Sequence, residues 1–179
     1  MKFLTTRLEG ALMLQPAVHA DGRGFFLESY SQTRFAEAGL RDTFVQDNHS
    51  RSAKGTLRGL HYQAAPRAQG KLVRVIRGAA FDVGVDLRQG SPTYGQWIGE
   101  TLSAENHLML YLPPGFAHGF LALEDDTEVL YKVTQPYSPA HERGLVWNDP
   151  ALAIRWPDLG MAYQLCDRDR QFPRLERLT

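Results

Sequence analysis

The stretch KLVRVIRGAAFDVGVDL, Lys71 to Leu87, constrains the fold more than any other part of the chain. It is rich in valine and isoleucine, carries charged residues at intervals, and is interrupted once by Gly78. That is the pattern of two strands joined by a tight turn. Shorter runs of the same kind recur at Gly24–Tyr30, Gly95–Leu102, His107–Leu112, Gly119–Leu123 and Glu128–Thr134. Turn-forming groups separate them: Asp21-Gly22, Gly90-Ser91-Pro92, Pro113-Pro114-Gly115 and Glu124-Asp125-Asp126. Many short strands with regular turns predict an all-β sandwich or barrel. One segment departs from this. Ser31–Leu40 has Ser31 or Thr33 as an N-cap, helix formers after it, and Gly39 as a stop, which predicts a short helix. The irregular tail after Pro157 leaves room for a second one near Leu159–Gln164.

The remaining composition narrows the class. A length of 179 residues suits one domain, 1–179, with a full core. Twenty basic residues balance twenty acidic ones, so bulk charge gives no support for nucleic acid or membrane binding. Cys166 is the sole cysteine, which excludes an internal disulfide and favours a reducing compartment. The opening MKFLTTRLEG is broken by Thr5, Thr6, Arg7 and Glu9, unlike a signal peptide or membrane span. A cytoplasmic protein is expected.

Two groups of residues sit at the spacing of metal boxes. Gly55, five residues and His61 fit the start of the pattern G-x5-H-x-H-x3-4-E-x6-G, with Gln63 at its second histidine. After a longer insertion than the pattern has, Lys71 stands for the glutamate, and Gly78 closes the box after six more residues. Pro113, Gly115 and His118 fit P-x-G-x2-H-x3-N, with Ala122 at the asparagine. The chain therefore resembles a cupin-type jelly-roll β-barrel whose ligand set has shrunk to two histidines beside an ammonium group. Such a site repels divalent cations and attracts an oxyanion, so no metal and no cofactor are expected. A metal-dependent cupin would need three or more protein ligands.

Longer motifs narrow the resemblance. RGLHYQ (Arg58–Gln63), QGKLVRV (Gln69–Val75) and PPGFAHGF (Pro113–Phe120) are similar to the dTDP-4-dehydrorhamnose 3,5-epimerase family. DGRGFFLESY from Asp21, FVQDNHSRS from Phe44, VLYK from Val129 and WNDPALAIRWP from Trp147 agree, in order and spacing. The family inverts the two carbons flanking the ketone of a nucleotide-activated 4-keto-6-deoxyhexose, without a cofactor, on the route to activated L-rhamnose. Abstraction of a proton beside a carbonyl needs a base, an acid on the opposite face and a group to hold the enolate oxygen. An imidazole titrates near 6.5 and suits the first role.

By this resemblance His61 is the base, Asp169 of LCDRD its orienting carboxylate, Tyr131 the acid and Lys71 the oxyanion partner. The resemblance also assigns Arg58, helped by Arg23, to the diphosphate. Gln46, Asp47 and Asn48 face the nucleotide, Glu28 its sugar or base, and Tyr137 stacks on thymine. His118, Glu142 and Arg168 line the pocket. Arg23, Phe25 and Glu28 reach a neighbouring subunit's pocket, which implies a homodimer with strand exchange near the N-terminus. Departures from the family pattern fall at Pro136, Cys166, Asp167 and Arg168. His19, His107 and His141 match no motif and read as surface residues, while His49 has no assigned role. Two rivals share the pattern: an enzyme that inverts one carbon or shifts the ketone, and a non-catalytic sugar-nucleotide binder.

Overall fold

The structure, a computed structural model, describes residues 1–177. In chain order its strands are β1 (Lys2–Thr5), β2 (Leu12–Gln15), β3 (Val18–Asp21), β4 (Gly24–Leu27), β5 (Gln46–Ser52), β6 (Leu57–Gln63) and β7 (Lys71–Arg77). They continue as β8 (Ala79–Asp86), β9 (Trp97–Ser103), β10 (Met109–Leu112), β11 (Phe116–Ala122), β12 (Thr127–Val133) and β13 (Glu142–Gly144). Two short helices, α1 (Gln32–Glu37) and α2 (Asp167–Arg170), accompany them.

Two antiparallel sheets stack as a jelly roll. One has the order β1-β2-β10-β7-β12-β5, the other β13-β6-β11-β8-β9, and β3-β4 forms a separate hairpin. Alternation along each strand decides what lies between the sheets. Val73 and Val75 of β7, Leu110 and Leu112 of β10 and Val129 of β12 meet Ala80, Ile98, Leu102, Phe116 and Phe120 from the opposing sheet. The other faces are covered as well. Phe35 of α1, with Tyr30, Leu40 and Phe44, packs on Leu14, Leu72 and Met109. The tail lays Leu145, Leu152, Ile154 and Trp156 over Leu60, Val83 and Val85.

Helix α1 lies inside the predicted span, with Ser31 as N-cap. The helix expected at Leu159–Gln164 is absent. Gln164 instead bridges Thr56, with its N–H donating to Gly55 O at 2.8 Å and its carbonyl accepting from Leu57 N at 2.9 Å. The backbone groups a helix would use are committed to a neighbouring strand, and the helix forms later, at α2. The chain from β4 onward to Tyr30 is also shorter in strand than expected, ending at Leu27.

Candidate active site

A cavity opens between the two sheets at the end where β7 begins, and strand parity determines who lines it. Lys71 shares the inward face of β7 with Val73 and Val75, and Tyr131 shares that of β12 with Val129 and Val133. Across the ladder from β12, Asn48 pairs with Tyr131 and Gln46 with Val133, so both face inward. Asp47 does not. The same parity turns it to the outer face, where it accepts from Lys132 Nζ at 2.9 Å.

Strand β6 needs an irregularity to place its two functional side chains. Arg58 pairs with Phe120 and His61 with His118, so Gly59 and Leu60 oppose the single residue Gly119. This bulge flips the alternation and aims Arg58 and His61 at the same cavity, three residues apart. Gly59 has φ +120, and a Cβ there would lie 2.6 Å from Gly119 Cα. Only glycine permits that approach.

His61 Nε2 lies 2.8 Å from Asp169 Oδ1, and Gly59 N–H donates to Asp169 Oδ2 at 3.0 Å. Burial alone would raise the Asp169 carboxyl, but the bonds from His61 and Gly59 outweigh it and hold it at about 2. An ionised Asp169 accepts, so Nε2 carries the proton and Nδ1 is left basic. Phe172 stands edge-on to the His61 ring, centroids 5.6 Å apart. It fits because Gly144, the strand partner of His61, has no side chain to block it.

Lys71 is only 8% exposed, and burial brings its ammonium down to about 8 despite the carboxylates of Asp82 and Glu142. Its Nζ donates to His61 O at 3.2 Å. Burial raises the Tyr131 phenol, which keeps its proton near neutral pH. A second histidine–carboxylate pair forms the floor: His118 Nε2 lies 2.6 and 2.8 Å from the two oxygens of Asp82. Burial lowers the His118 imidazole despite the opposing Asp82 carboxylate, with smaller help from the nearby Lys71.

At the mouth stand Arg58, Tyr137, Glu142 and Arg168. Glu142 Oε2 accepts from Tyr137 Oη and from Arg168, each at 2.7 Å. Arg58 donates to Ser52 Oγ at 3.1 Å and Arg51 O at 3.3 Å. Two guanidinium groups at the mouth, Arg58 and Arg168, suit a substrate with a charged diphosphate end.

Of the residues expected in the site, His61, Lys71, Tyr131, Asp169, Gln46, Asn48, Arg58, His118, Tyr137, Glu142 and Arg168 converge here. Arg23, Phe25 and Glu28 do not reach it within one chain. Arg23 pairs with Asp21 on the exposed hairpin, Phe25 packs at a tilt against His107 with centroids 4.7 Å apart, and Glu28 pairs with Arg34. His107 and His141 are half-buried rather than on the surface, His141 with its Nδ1 2.8 Å from Ser138 Oγ. His49 faces outward onto Glu128. Asp82 and Phe172 went unread in the sequence. Asp82 had a signal, a carboxylate on the inward parity of the apolar strand β8; Phe172 had none.

Among the described residues, no group of three or more His, Cys, Asp or Glu side chains could hold a metal ion. No helix among them is long and apolar enough to cross a membrane.

Known proteins share both sequence and shape with this chain. The family described as dTDP-4-dehydrorhamnose 3,5-epimerase matches residues 5–177. A dTDP-4-dehydrorhamnose 3,5-epimerase from Pseudomonas aeruginosa is 56% identical, covering 96% of this chain and 94% of its own. The crystal structure of the Bacillus anthracis enzyme of that name, with TDP and pyrophosphate bound, superposes with a TM-score of 0.93 at 49% identity, covering 97% and 99%. A dTDP-6-deoxy-D-glucose-3,5-epimerase from Legionella pneumophila, in complex with dTDP-4-keto-L-rhamnose, gives 0.95 at 46% identity, covering 99% and 94%.

Proposed function

The chain belongs to the dTDP-4-dehydrorhamnose 3,5-epimerase family, and from that membership we propose the reaction and the residues that perform it. The substrate is dTDP-4-dehydro-6-deoxy-D-glucose and the product dTDP-4-dehydro-L-rhamnose. One observation carries the reading: a carboxylate-oriented imidazole, a buried ammonium and a protonated phenol line one cavity.

His61 Nδ1 takes the proton from a carbon next to the ketone. Asp169 stabilises the imidazolium that results. The electron pair moves onto the ketone oxygen, where the Lys71 ammonium meets the developing charge. One such preorganised donor is worth ~3–4 kcal/mol. Tyr131 delivers a proton to the opposite face, the ketone re-forms, and the carbon is inverted. The imidazolium gives its proton to solvent and the phenolate takes one back, and repeating the cycle at the second flanking carbon gives the product. Protons leave and return with no net change in oxidation state, so the balance requires no redox cofactor, and we assign no metal.

The nucleotide end lies toward Tyr137, Gln46 and Asn48, and the diphosphate toward Arg58 and Arg168. Phe25 and Phe26 are 59% and 70% exposed on the β3–β4 hairpin. We assign that hairpin, with Arg23 and Glu28, to a second copy of the chain, and place the enzyme in the cytoplasm with its substrate.

The test is product stereochemistry. Purified protein given dTDP-4-dehydro-6-deoxy-D-glucose and a rhamnose-forming reductase should yield dTDP-L-rhamnose, and should do so after exhaustive chelation. A product inverted at one carbon, or activity restored only by added zinc, iron or manganese, would overturn the reading.

A further inference from the structure

Three glutamines on the cavity walls hold one short turn. Thr134–Ser138 leads from β12 toward β13, with Pro136 and Tyr137 both exposed. Gln63 Nε2 donates to Pro136 O at 3.3 Å and to Arg67 O at 2.7 Å, while its Oε1 accepts from Ser138 N at 2.7 Å. Gln69 Nε2 donates to Gln135 O at 2.6 Å. Gln46 Oε1 accepts from Tyr137 N at 3.1 Å. Four consecutive residues thus have a backbone group tied to a side-chain amide rather than to a neighbouring strand. Gln63, 4% exposed, has both N–H groups committed, one to the turn at Pro136 O and one to Arg67 O. It occupies the place of a cupin metal ligand, yet its amide is turned to the turn and not to the cavity's reacting centre.

The turn carries one side chain into the site. Tyr137 is 52% exposed and reaches Glu142 through its hydroxyl. A ring on an exposed turn would otherwise sample many positions, and ordering it would oppose binding. We infer that Gln63 and Gln69, with Gln46, are positioning residues that preorganise Tyr137 as the platform for the nucleotide end of the substrate. They govern affinity, while the chemical step is left to the histidine, lysine and tyrosine at the other end of the cavity. This rests on the reading of the cavity as a dTDP-sugar site.

Gln63→Met and Gln69→Met remove the amides with little change of volume. For each, the dissociation constant of dTDP and KM should rise about tenfold, the usual effect of one lost buried hydrogen bond, with kcat within about threefold. Adding Tyr137→Ala to either should cost little beyond the larger single effect, because both act through one ring. Additive losses, or a fall in kcat at constant KM, would overturn the inference.

Backbone hydrogen exchange separates this from the functional reading. The amides of Tyr137 and Ser138 should be protected in the unaltered protein and exchange at least tenfold faster in Gln63→Met, while Val73 and Leu110 in the core stay protected. Unchanged exchange at Tyr137 and Ser138 sinks the clamp even if dTDP binds. Faster exchange in Gln63→Met, with an unaltered protein that fails to bind dTDP, sinks the nucleotide role and the proposed function together. Should Gln63→Met fail to fold, Gln46→Met removes the acceptor of Tyr137 N–H and should speed exchange at that amide in the same way.

Discussion

His61 and Asp169 are 108 residues apart in sequence and 2.8 Å apart in space. The contact is made because the tail crosses the five-stranded sheet and delivers α2 beside the β6 bulge, where Gly59 N–H fixes the second carboxylate oxygen. A general base oriented in this way contributes roughly 10²–10⁴ in rate. Asp169→Asn should therefore lower kcat by about 10²-fold or more, with a smaller change in KM, measured by steady-state kinetics.

The same carboxylate gives a stability signature in acid. Its folded pKa of about 2 lies below the unfolded value of 3.8, so its contribution is complete above the unfolded value and vanishes as pH falls through the folded one. That contribution is about 2 kcal/mol. Urea midpoints of the unaltered protein and Asp169→Asn should differ at pH 6 and converge near pH 2.

Lys71 has the opposite balance, costing stability while serving the reaction. Burial lowers its pKa to about 8, so near neutral pH the fold carries a desolvated ammonium. Activity should fall as pH rises through about 8, when the charge that holds the enolate oxygen is lost. Stability should rise over the interval from about 8 to 10.5, where the unfolded chain binds a proton that the folded one has released. Lys71→Met should lose ~10²–10³ in kcat and gain up to about 3 kcal/mol in stability near neutral pH. A stabilised but inactive variant is the expected result, read by thermal unfolding beside the kinetic assay.

The β3–β4 hairpin forms a two-stranded sheet of its own, and its Phe25 packs against His107 with ring centroids 4.7 Å apart. Sedimentation should give a dimer. Arg23→Ala removes a side chain that is 91% exposed and lies outside the single-chain cavity, yet it should weaken dTDP binding about tenfold, the loss expected of one charge-assisted bond. An active monomer whose affinity ignores Arg23 would contradict the assignment.

The strands that line up apolar residues were legible in the sequence; those that line the cavity were less so. β7 and β8 are rich in Val, Leu, Ile and Ala and are parted by Gly78, so two strands and the turn between them follow from that run. β5 reads QDNHSRS, with Gln46, Asn48 and Ser50 inward, so no apolar face announces it. Asp47 was placed in the site with its neighbours because a motif does not carry parity, and the ladder turns it outward. The β6 bulge depends on contact between Gly59 and Gly119 in different strands, which single-strand patterns do not encode. The tail resisted reading for a similar reason: its hydrogen bonds go to β6, and local propensity gave no hint of that.

Deuterium uptake in heavy water tests the central claim most directly. Wild-type enzyme should return product carrying deuterium at both carbons flanking the ketone. His61→Ala should abolish exchange and product together. Tyr131→Phe keeps the base and the ammonium, so it should exchange substrate protons with little inversion. Deuterium at one carbon only, or Tyr131→Phe inverting both at near the normal rate, would contradict an enolate formed by His61 and quenched by Tyr131.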